Sequence, residues 1–118
     1  MITISDINLA SGEFISADEI DVSEGFLTIQ ASWTGLDGDF EIIPLQTNVT
    51  AGSYDPVYDF KGQPVRFKVE HRDVSSGSKT FNLLDLKALA AMVKVRKIGG
   101  KYGATKGTVA LVIMNSST

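Results

Sequence analysis

The chain has 118 residues, one histidine, no cysteine and a formal net charge of −3. That length fits one domain, 1–118, able to bury its own core. Disulfides and thiol chemistry are excluded, as is a zinc site made of several His and Cys ligands. Apolar residues make up 43% and charged residues 21%, an ordinary globular composition.

The N-terminus, Met1 to Ser5, has no basic stretch leading into a long apolar run, so no secretory signal is expected. No apolar stretch approaches the ~20 residues of a membrane helix. Folding in a cytosol is the expectation. The small net charge hides an asymmetry. Residues 1–60 contain eleven Asp and Glu and no Lys or Arg, while residues 61–118 contain all eleven Lys and Arg and three acids. Either the halves fold against each other and the charges interleave, or acidic and basic faces stand apart and favour side-by-side assembly of copies. The acidic half would repel a phosphate backbone, which argues against nucleic acid.

Alternation with a period of two dominates the chain. Ile20 and Val22 flank Asp21. Leu27, Ile29, Ala31 and Trp33 alternate with Thr28, Gln30 and Ser32, which reads as a half-buried strand with Trp33 in the core. Phe40 to Gln46 is strand-like but contains Pro44, so an edge strand or a bulge is expected. Tyr54 and Tyr58 fall in a loop with Pro56. Val65, Phe67 and Val69 alternate with Arg66, Lys68 and Glu70. From Asn82 to Ala91 the residues are helix formers, with Leu86, Leu89 and Ala90 at helical spacing, and at most one short helix or a turn is expected, which Asn82 could cap. Val93 and Val95 alternate with Lys94 and Arg96. The stretch Gly99 to Thr108 reads as a hairpin loop. Val109 to Met114 is apolar on both faces, which predicts a central strand covered on both sides by protein or by a neighbouring subunit.

Catalytic chemistry finds little support. His71 sits between Glu70 and Arg72, where a solvated turn is the simpler reading. His71-Arg72-Asp73 echoes a kinase catalytic loop, but a kinase domain does not fit in this length. The glycine-rich stretch lacks the Gly-Lys-Ser/Thr order of a phosphate loop, and a strand follows it. Asp37 and Asp39 flank Gly38, and Asp18, Glu19 and Asp21 cluster, yet neither group matches an EF-hand loop. No catalytic residue, cofactor or metal is assigned. Aromatic side chains with one polar tip suit protein or sugar contacts. Tyr54 and Tyr58, with Lys94, Arg96, Asp37 and Asp39, are the candidate contact residues.

The stretch Ile29 to Ile42, with Trp33-Thr34-Gly35 ending a strand before a glycine-containing turn, resembles small structural proteins of bacteriophage virions. Met92 to Arg96, a Gly-rich loop and Gly107 to Ile113 resemble the closing hairpin of that group. A more distant similarity is to discoidin-like sugar-binding domains. The resemblance covers about a third of the chain. It departs at Thr47 to Pro56, and no binding residue is carried over. It implies an antiparallel β-sandwich of jelly-roll type with about eight strands. It also implies a non-enzymatic virion protein (minor capsid, vertex, decoration, tail or spike component), assembled in the host cytoplasm, forming a homo-oligomer and touching other virion proteins. A carbohydrate-binding module is the alternative.

Overall fold

Alternating apolar and polar residues give ten strands in the computed structural model, which describes residues 1–16, 19–36, 38–48, 53–70, 76–84, 86, 88–99 and 107–115. They are β1 (Ile2–Asn8), β2 (Phe14–Ile15), β3 (Ile20–Asp21), β4 (Leu27–Thr34), β5 (Asp39–Thr47), β6 (Asp55–Pro56), β7 (Phe67–Val69), β8 (Gly77–Leu83), β9 (Ala90–Gly99) and β10 (Thr108–Met114). The first sheet runs β1-β10-β4-β8, and the second runs β2-β9-β5-β6, with β3 also on β9 and β7 also on β5. Every pairing is antiparallel.

The short strands β2 and β3, and likewise β6 and β7, are pieces of interrupted single strands. Between β2 and β3, buried Ser16 keeps the contact with β9: its N–H donates to the Val93 carbonyl and its hydroxyl accepts from the Val93 N–H, both at 2.9 Å. Between β6 and β7, the segment 57–66 is inserted while both ends stay on β5. Joining these pieces leaves eight strands in two four-stranded sheets. Renumbered in chain order, the sheets read 1-8-3-6 and 2-7-4-5, the two interleaved Greek keys of a jelly roll.

The core lies between the sheets. Leu27, Ile29, Leu111 and Ile113 from the first sheet and Ile42, Val93 and Val95 from the second are fully buried. Trp33 is buried as expected and meets Phe40 edge-on, ring centroids 6.0 Å apart. At one margin Phe81 of β8 stacks on Phe67 of β7 at 4.8 Å, joining the two layers. Fully buried Leu9 begins a three-residue 3-10 turn, Leu9–Ser11, capped by the Asn8 side chain, which accepts from the Ala10 N–H.

Three expectations are corrected. The stretch from Asn82 to Ala91 is not a helix: Asn82 lies in β8 opposite Thr28, and Ala90 and Ala91 begin β9. Tertiary pairing overrides helix propensity here. The Leu86 N–H donates to the Gly25 carbonyl and the Leu89 N–H to the Thr47 carbonyl, so these donors serve distant segments. Asp85 and Lys87 lie outside the described residues.

Pro44 does not mark an edge. Its strand, β5, is central, so of the two alternatives the edge is overturned, while the strand does carry a register shift in its pairing with β9, at Asp39/Phe40 rather than at Pro44. The Pro44 carbonyl accepts from the Val57 N–H, on the side away from β9. A strand residue points its nitrogen and carbonyl to the same neighbour, so the missing N–H of Pro44 faces the gap between β6 and β7.

Finally, Gly99 to Thr108 does not close a hairpin. β9 and β10 belong to opposite sheets, so the chain crosses between layers there. Residues 100–106 lie outside the described residues. The central position expected for β10 is correct, with Val109, Leu111 and Ile113 fully buried, but Ala110 and Val112 on its other face are half-buried and Met114 is exposed.

The charges of the two halves interleave. Glu13 meets Lys94 at 3.3 Å, Asp39 meets Lys68 at 3.8 Å, and Glu41 meets Arg96 at 2.7 Å and Arg66 at 3.9 Å. Each of these pairs an acid from residues 1–60 with a cation from 61–118.

Gly107 leads into β10 with φ 129° and has Leu36 and Gly35 backbone atoms 3.1–3.2 Å from where a Cβ would sit. Gly12 has φ 108° but open space around it. Gly107→Ala is therefore expected to lower unfolding free energy by about 2–3 kcal/mol and Gly12→Ala by about 1 kcal/mol. Urea midpoints at unchanged slope measure this, and equal shifts would contradict a close approach at Gly107.

Candidate functional site

The expected contact residues do not form one site. Arg96 and Glu41 are direct cross-strand partners on the outer face of the second sheet, and Lys68 flanks Glu41 from β7. Glu41 is buried there, whereas the Arg96 side chain is 42% exposed and that of Arg66 51%. Lys94 lies two residues along β9 and holds Glu13. Asp39 starts β5 and is bridged by Lys68. Asp37 and His71 lie outside the described residues. The described charges among the candidates therefore bond within the chain.

The tyrosines separate as well. Tyr54 is half-buried and its hydroxyl is enclosed without a partner in hydrogen-bonding geometry among the described residues. Desolvation, with a smaller contribution from nearby Glu19, pushes the phenol up to about 12. Tyr58 is 55% exposed and sits on the inserted hairpin. There the Val65 N–H donates to the Val57 carbonyl, and Tyr58 pairs with Pro64. The hairpin turn is tightly specified. The Gly62 N–H donates to the Asp59 carbonyl, the Asp59 N–H to the Gln63 carbonyl, and the Asp59 carboxylate accepts from the N–H groups of Lys61 and Gln63. Gly62 takes φ 80°. This is a type I turn closed by a left-handed glycine. At its tip Phe60 is 96% exposed, with the Lys61 ammonium 6.0 Å from its ring centroid.

The outer face of the first sheet has a different character. Thr3, Val112, Gln30 and Thr80 lie in one row across the four strands. Ala110, Ser32 and Ser78 form the next row, and Met114, Thr28 and Asn82 another. All are exposed or half-buried, and none is charged. The Thr28 hydroxyl donates to the Asn82 side-chain oxygen at 3.1 Å. Strand spacing and rise make this face about 24 Å by 19 Å. Surfaces designed for solubility aim at about 25–35% charged residues, and depletion of charge marks the centre of protein interfaces.

The sheet edges beside this face are unsuited to strand addition. β1 is broken by a bulge between Ile4 and Ile7, where Asp6 takes φ 58°. On β8, Lys79 shares the inward side with Ala31 and lies 5.8 Å from the Phe81 ring centroid. Bulges and inward charges are the usual guards of an exposed edge.

Sequence reasoning missed both Phe60 and the uncharged face. A phenylalanine between Asp59 and Lys61-Gly62, inside a turn signal, was the available cue for the first. The second requires the strand order, which places the polar positions of β4, β8 and β10 side by side. Among the described residues no group of three or more His, Cys, Asp or Glu could hold a metal ion, and no helix is long and apolar enough to cross a membrane. No protein-family model matches the chain, and no curated protein matches it.

The Glu41 network has unequal partners. Arg96→Leu strands a buried carboxylate beside a cation 3.9 Å away and is expected to cost about 2–3 kcal/mol. Glu41→Leu leaves arginines that water already reaches and is expected to cost under about 1 kcal/mol. Chemical denaturation of the two variants measures the difference. Equal losses would contradict this asymmetry.

Proposed function

We propose that this chain is a non-enzymatic structural subunit of a bacteriophage virion, working through contacts with copies of itself and with other virion proteins. The observation that carries the reading is the uncharged outer face of the first sheet. A surface of about 450 Å² in projection can form the centre of an interface that covers about 800 Å² per partner. The guarded edges direct contacts to that face rather than to strand addition. The resemblance of Ile29 to Ile42 to small virion proteins supports the same reading. Jelly rolls serve in viral capsids and also in lectins, so the fold is an analogy and does not decide between them. An exposed Tyr58 on the same hairpin as Phe60 is what favours the second reading, a carbohydrate-binding module.

Light scattering over a range of concentration and salt tests the proposal. A defined oligomer is expected, and it should persist at high salt because the face is uncharged. Gln30→Lys with Ser32→Lys sets two cations in the middle of the face. It should remove the association made through that face, with a melting temperature that moves by no more than about 4 °C. A wild-type monomer at every concentration and salt that does not bind virion proteins would overturn the proposal. Glycan binding lost in Tyr58→Ala would then establish the second reading.

A further inference from the structure

The chain carries an apolar knob and an apolar groove on opposite margins. The knob is Phe60, almost wholly exposed at the tip of a hairpin held in one shape by hydrogen bonds of its backbone and of the Asp59 carboxylate. A large apolar side chain on a rigid support loses little further conformational freedom on binding, which favours use as an anchor. The groove opens between the layers at the other margin, where β1 of the first sheet faces β2 and β3 of the second. Ile2, Ile4, Phe14, Ile15 and Ile20 line a volume of about 300 Å³. A cavity of about 150 Å³ lined by such residues already admits a benzene ring, so a phenylalanine side chain fits.

The charges beside knob and groove also match. Along β1 the groove continues into a second depression of about 260 Å³ that shares Phe14 and carries Asp6 and Glu13. Asp6 is exposed, and Glu13 holds Lys94 at 3.3 Å. Lys61 directly follows Phe60, as this acidic depression directly follows the apolar groove. In the second sheet the hairpin lies beyond β5 and the groove beyond β9. Phe60 therefore cannot fill the groove of its own chain.

We infer that Phe60 of one copy seats in the groove between β1 and β2–β3 of a second copy, with Lys61 beside Asp6 and Glu13 of that copy. This deepens the self-assembly reading above and rests on it. The contact is head-to-tail: each copy offers a knob at one margin and a groove at the other. Repetition gives a ring where the rotation closes and a filament where it does not.

The absence of native cysteine makes a clean test. In a Lys61→Cys, Glu13→Cys double variant, which keeps Phe60 and the groove lining, mild oxidation should give a ladder of disulfide-linked trimers and larger species. Either single variant can give dimers only. A control with Lys61→Cys and Asn48→Cys, at an exposed position beyond β5 and away from both the groove and the uncharged face, should form the ladder far more slowly. Adding Phe60→Ala should abolish the ladder, and in the cysteine-free chain it should weaken association on the order of 10- to 100-fold. Ladders equal to the control, or association unchanged by Phe60→Ala, would overturn the inference. If association survives Phe60→Ala but is lost with Gln30→Lys and Ser32→Lys, the knob and groove fail while the self-assembly reading stands. A wild-type chain that never associates removes both.

Discussion

The pairing of β5 with β9 is the contact on which the other elements depend. It runs from Asp39 opposite Gly99 to Thr47 opposite Ala90. Strands this far apart in sequence meet only after a long loop is closed, so their pairing must be rewarded along its whole length. The inward positions Ile42, Val93 and Val95 supply burial, and the outward pair Glu41–Arg96 supplies charge. A slip of one residue would turn each set to the wrong face. β2 and β3 pair with β9, and β6 and β7 pair with β5. The first sheet covers the apolar side of this layer.

That pairing also explains why a chain split so sharply into acidic and basic halves does not present acidic and basic faces. The halves contribute alternate strands to the same sheet, so their charges are neighbours. The outer face of the second sheet is crossed by ion pairs. The outer face of the first sheet has no charge in its central rows. The two sides of the sandwich therefore suit different tasks, one solvated and self-satisfied, the other ready to be covered. A bulge in β1 and the inward Lys79 of β8 keep the flanking edges from doing the covering.

Much of the fold was legible in the sequence because period-two alternation records which residues face a core. The strands around Ile29, Phe67, Val93 and Leu111 follow directly from it, as does the central place of β10. What was lost was non-local. Helix formers between Asn82 and Ala91 read as a helix because nothing nearby shows that Leu83 will pair with Leu27 and Ala90 with Thr47. Pro44 read as an edge or a bulge because its missing N–H faces a gap that only the path of β6 and β7 creates. The contact residues chosen by charge, Lys94, Arg96 and Asp39, proved to be bonded within the chain. The uncharged face and Phe60 became visible only when distant segments were set side by side.

Met114 offers the most direct test of the uncharged face as a contact surface. It is 46% exposed in one chain, while Met92 is half-buried on the outer face of the second sheet. Hydroxyl-radical labelling at low and high protein concentration, read by mass spectrometry at both methionines, compares the two faces in one sample. Protection of Met114 that grows with concentration, with Met92 unchanged, is the expected result. Equal labelling of Met114 at every concentration would contradict assembly through this face.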